Sequence, residues 1–109
     1  MKLDLVRQLV AAGKNREGIA YCYHTLVEVA TRAYNLDDVK ESETVREFIE
    51  MLVNQKNLPR DVSFRFMMAV LDGLYSNQTI TQDHVASVVE MLGKLYVAIT
   101  NDTQETFKL

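Results

Sequence analysis

The chain has 109 residues and a mass of 12.5 kDa, the size of one domain, and folding at that length buries on the order of 65% of the unfolded surface, enough for a core without a metal or disulfide staple. An apolar fraction of 48% and a charged fraction of 25% exclude a disordered chain. Lys plus Arg is 12 and Asp plus Glu is 15, a net charge of -3 that argues against a protein held on nucleic acid or anionic lipid by bulk charge.

Helical periodicity dominates from the first residues. Leu3, Val6, Leu9 and Val10 form a short apolar stripe that Gly13 ends as a C-terminal signal. A second helix starts near Asn15, an N-cap residue, with Glu17 in its first turn. Its apolar positions are Ile19, Tyr23, Leu26, Val27, Ala30, Ala33 and Tyr34, widened by Cys22 and Val29, which places it at the centre of a bundle and ends it near Asn35. The charged, aperiodic stretch from Leu36 to Glu41 is a loop. Its acidic residues Asp37, Asp38 and Glu41 lack the alternation and turn glycine of a calcium loop.

Ser42 or Thr44 caps a third helix, with Thr44 to Glu47 matching a capping box and Val45, Phe48, Ile49, Leu52 and Val53 forming the core face. Leu58-Pro59-Arg60-Asp61 opens a fourth, with Pro59 at or near its first position. Its stripe is Phe64, Met67, Met68, Leu71, Leu74 and Tyr75, flanked by Val62, Phe66 and Val70, and Gly73 with Ser76 to Gln78 marks its exit. Thr79-Ile80-Thr81-Gln82 forms a second capping box before a fifth helix carrying Val85, Val88, Val89, Leu92, Leu95, Tyr96 and Ile99. The expected architecture is all-α: an up-and-down antiparallel bundle of four to five helices over residues 1–100, with 101–109 as a polar C-terminal tail.

Cys22 is the only cysteine, so an intramolecular disulfide and a cysteine-based zinc site are both impossible. The N-terminus has no apolar stretch of secretory length, and the longest apolar runs, 66–71 and 95–99, fall far short of the roughly 20 residues of a membrane span. These features predict a cytoplasmic protein that does not enter a membrane.

Residues with chemical potential are few. His24 and Glu28, and Glu28 and Arg32, stand four apart and share a helix face, an arrangement that could hold a general base against a carboxylate beside a cation. The competing interpretation is a solvated face with ordinary i, i+4 pairs. His84 lies in the first turn of the last helix beside Asp83 and reads as a surface residue. Arg7, Lys14 and Arg16 could form a phosphate-contacting corner, and Tyr21, Tyr23 and Tyr34 could stack on a base, but scattered solubilising charge and aromatic core anchors explain the same residues. The Met67-Met68 pair suits a core or a subunit contact. No HExxH, Walker A or GxGxxG pattern occurs, and no metal or cofactor is implied.

Taken in order, several segments resemble the HEPN domain (higher eukaryotes and prokaryotes nucleotide-binding). The segment Leu9 to Leu26 is similar to that family's small-residue turn and central helix with an aromatic pair. The helix from Ser42 to Val53, followed by Leu58 to Asp61, resembles its loop into the fourth helix. Leu74-Tyr75 and then Thr79 to Val85 are similar to its tyrosine turn and the entry to its last helix. The resemblance, over about residues 5 to 99, implies a helical bundle and dimerisation. Catalytic HEPN ribonucleases carry an arginine and a nearby histidine close to the last helix. The equivalent stretch here, Val70 to Tyr75, has neither, so the resemblance does not extend to that chemistry.

The expected function is therefore a non-catalytic helical interaction module, a homodimer or the partner of a small nucleotidyltransferase or similar regulatory system. The alternative is an RNA- or nucleotide-acting enzyme using His24, Glu28 and Arg32. Cys22, Val29, Phe66 and Val70 extend beyond the main apolar stripes and are the expected interface residues, since a monomer exposing them would carry a large apolar patch.

Overall fold

The computed structural model describes residues 3–36 and 44–103. Five helices, α1 (Asp4–Ala11), α2 (Asn15–Ala33), α3 (Val45–Lys56), α4 (Arg60–Tyr75) and α5 (Gln82–Thr103), hold 82% of these residues, and no strand occurs among them. The chain is an all-α helical bundle. The candidate caps Ser42 and the acidic residues Asp37, Asp38 and Glu41 lie outside the described residues, as do residues 104–109 of the polar tail. α5 continues through residues 101–103.

Several boundaries are written in local chemistry. Gly13, with φ +77°, turns the chain between α1 and α2 in the left-handed region that glycine adopts without strain. Asn35 and Asn57 take positive φ after α2 and α3. Thr44 caps α3, its Oγ1 accepting the Glu47 amide at 3.2 Å. Two boundaries differ from expectation. Thr81, not Thr79, caps α5, accepting the His84 amide at 3.2 Å. Asn15 is the first residue of α2 rather than its cap, and its side-chain amide donates 2.7 Å across the fold to the Ile80 carbonyl.

α2 sits at the centre, against α1, α4 and α5, with α4 also packed on α3 and α5. Ile19, Cys22, Leu26 and Ala30 of α2 are wholly buried. So are Phe48 and Leu52 of α3 and Val85, Val88, Leu92, Leu95 and Ile99 of α5, each at 2% exposure or less. The connections α1–α2, α3–α4 and α4–α5 are short. Tyr23 meets the Phe48 ring edge-on at 6.3 Å between centroids, while Tyr34, just past α2, lies under Lys56 at the end of α3. α2 and α3 therefore run in the same sense, so the expected up-and-down alternation is interrupted between them.

α4 turns a different face inward from the one its stripe suggests. Ser63, Phe66, Met67, Val70 and Gly73 are buried, whereas Met68 is 53% exposed and Tyr75 74% exposed. Phe64, Leu71 and Leu74 are half-buried. Gly73 lies inside the helix, not at its exit. A Cβ there would stand 2.5 Å from Ile19 Cδ1, so this glycine lets α4 approach α2.

Candidate interaction surface

The expected interface residues are mostly core. Cys22, Phe66 and Val70 are wholly buried within the chain, so none of them lies on a surface that a partner could touch. Val29 is half-buried on α2. The physical reason is that α2 and α4 each pack against three other helices, and that takes a wider apolar face than a single seam. Burial also pushes the Cys22 thiol up to about 11 from its ordinary 9.0, so it stays protonated and unreactive at neutral pH.

The candidate catalytic trio lies on an open helix face. His24 Nε2 and Glu28 Oε1 are 3.2 Å apart with side chains 65% and 69% exposed. Among the described residues, Arg32 makes no ion pair with Glu28. These three side chains line neither the groove between α4 and α5 nor the depression beside Arg16. An imidazole–carboxylate pair in open water has nothing to exclude solvent or hold a substrate against it.

The basic corner is dispersed as well. Arg7 pairs with Asp4 at 3.8 Å, and the Arg16 guanidinium donates to the carbonyls of Gly73 at 2.8 Å and Gln78 at 2.5 Å. Arg16 thus holds the α4–α5 turn, its positive charge placed against the C-terminal carbonyls of α4. A depression of about 420 Å³ beside it, between Gly13 to Glu17 and Asn77 to Ile80, is lined mainly by polar groups.

The larger feature is a groove of about 860 Å³ between α4 and α5. Phe64, Met68, Ala69 and Met91 supply apolar walls, and Arg60, Asp61, Arg65, Asp72, His84 and Ser87 supply polar ones. His84 Nε2 lies 3.0 Å from the Ala69 carbonyl of α4, so this nitrogen carries the proton and the ring bridges the two helices. Arg65 pairs with Asp61 at 3.5 Å, and the Arg60 guanidinium lies 5.5 Å from the centre of the Phe64 ring. Nothing in the local sequence marks His84 or Asp72 as groove residues, because α4 and α5 contribute them from opposite sides of the turn. The exposed Met68 was the accessible signal, half of a methionine pair suited to a subunit contact.

The fold and this groove define a five-helix all-α bundle with a partly apolar surface cleft. The chain matches no protein-family model, no curated protein and no solved structure. Among the described residues, no helix is long and apolar enough to cross a membrane, and no cluster of three or more His, Cys, Asp or Glu is placed to hold a metal ion.

Proposed function

We propose that this chain is a non-catalytic helical interaction module that works as a cytoplasmic homodimer. The observation that carries this reading is the α4–α5 groove, where a large apolar side chain, Met68, stands 53% exposed between polar margins. An apolar centre with a polar rim is the make-up of a protein contact surface. The resemblance to HEPN domains supports the same reading and adds a second kind of partner, a small nucleotidyltransferase or similar regulatory protein. The enzyme alternative on His24, Glu28 and Arg32 has only the exposed His24–Glu28 pair in its favour.

Light scattering of the purified chain at micromolar concentrations and above is expected to give twice the 12.5 kDa chain mass. A monomer mass throughout that range overturns the homodimer. Incubation with single-stranded and structured RNA is expected to leave the RNA intact. Cleavage that disappears in His24→Ala overturns the non-catalytic reading.

A further inference from the structure

We propose that a second copy of this chain docks on the α4–α5 groove through the row Arg60, Phe64, Met68 and Asp72, with the two α4 helices antiparallel about a two-fold axis. This rests on the homodimer reading above and supplies the surface for it.

The four residues stand four apart along α4 and all line the groove. They form one i, i+4 ridge reading positive, apolar, apolar, negative. An antiparallel copy centred between Phe64 and Met68 sets Arg60 against the copy's Asp72 and Phe64 against its Met68. Both matches then occur twice. That is what a two-fold contact demands, since residue i must meet j while j meets i. Ridges of this spacing pack into one another with helix axes crossing at about 50°. At that crossing the two ridges lie parallel, so the end charges stay in register.

The charges on α4 divide in a way that fits. Arg65 is already matched within the chain by Asp61 at 3.5 Å. Arg60 and Asp72 make no ion pair among the described residues, and both are exposed. The α4 charges without an ion-pair partner are therefore the two at the ends of the row, Arg60 lying over the Phe64 ring of its own helix. Between them Phe64 is half-buried and Met68 mostly in water, the apolar surface that a second copy would cover. A groove serving an unrelated partner has no need for a row complementary to its own reversal.

The test uses charge reversal and light scattering on the full chain. Arg60→Asp places two like-charge contacts in the proposed dimer, and Asp72→Arg does the same with the opposite sign. Each variant alone is expected to dimerise on the order of 10-fold more weakly, or worse, than the wild type. Mixing the two variants restores both opposite-charge contacts, so the mixture is expected to dimerise as the wild type does. The double variant R60D/D72R is likewise expected to pair with itself. Both are gains of association that a misfolded variant cannot produce. A wild-type dimer that neither single variant weakens, or weakened variants that mixing does not rescue, overturns this surface while leaving the homodimer reading intact. A monomeric wild type overturns both.

Discussion

Gly73 of α4 lies directly against Ile19 of α2, so that a Cβ at Gly73 would stand 2.5 Å from Ile19 Cδ1 and 2.9 Å from its Cγ2. Gly18, on the same central helix as Ile19, is also buried, yet a Cβ there would meet Val85, Val6 and Val10 at 3.7 to 3.9 Å, ordinary contact distances. One substitution should therefore act with opposite signs at the two glycines. Gly73→Ala is expected to destabilise by about 1–3 kcal/mol, because overpacking outweighs the gain in helix propensity. Gly18→Ala is expected to stabilise by about 0.5–1 kcal/mol. Urea unfolding of both variants measures this, and the same sign at both positions would refute the packing account.

Arg16→Ala removes two charge-assisted hydrogen bonds that tie the start of α2 to the α4–α5 turn. The expected loss is about 1–3 kcal/mol. Arg16→Lys should recover only part of it, since an ammonium lacks the planar fork that spans the Gly73 and Gln78 carbonyls. Hydrogen exchange at residues 76–81 is expected to accelerate in both variants, more in Arg16→Ala.

Leu26 is wholly buried in α2, and Leu26→Ala is expected to cost about 2–5 kcal/mol through lost burial and the cavity left behind. Denaturant unfolding with a change below about 1 kcal/mol would contradict that placement.

The Cys22 thiol titrates near 11 in the fold, against 9.0 for an ordinary thiol. Its folded pKa is raised, so the folded state keeps the proton that the unfolded state releases first. Stability from this group is undiminished below pH 9 and falls as pH rises from 9 to about 11. At pH 8 a disulfide reagent such as dithionitrobenzoate is expected to label the native chain slowly and the urea-unfolded chain rapidly. Equal rates would place Cys22 at the surface.

Helix identity was legible because its causes are local. The 3.6-residue apolar period, the Thr44 cap and the left-handed turn at Gly13 act within a few residues of chain. The cap of α5 was misplaced by two residues because Thr79 and Thr81 offer the same hydroxyl, and only the path of the turn, fixed by Asn15 and Arg16 from α2, selects Thr81.

The face of α4 was not legible, and the candidate interface went with it. α4 is apolar around most of its circumference, so periodicity alone gives the stripe of Phe64, Met68 and Tyr75 as much claim to the core as Phe66 and Val70. The structure buries Phe66 and Val70 and leaves Met68 and Tyr75 largely in water. Gly73 is small enough to let α4 close on Ile19, and α4 packs at once on α2, α3 and α5. By itself the sequence determined an all-α bundle of four to five helices, most of their ends and the centrality of α2, because hydrogen bonding and amphipathic spacing are properties of a segment. Which side of α4 faces water, and so which residues line the groove with His84 and Met91, was decided by the tertiary structure. That choice depends on close approach between helices far apart in the chain, a property that no single segment carries.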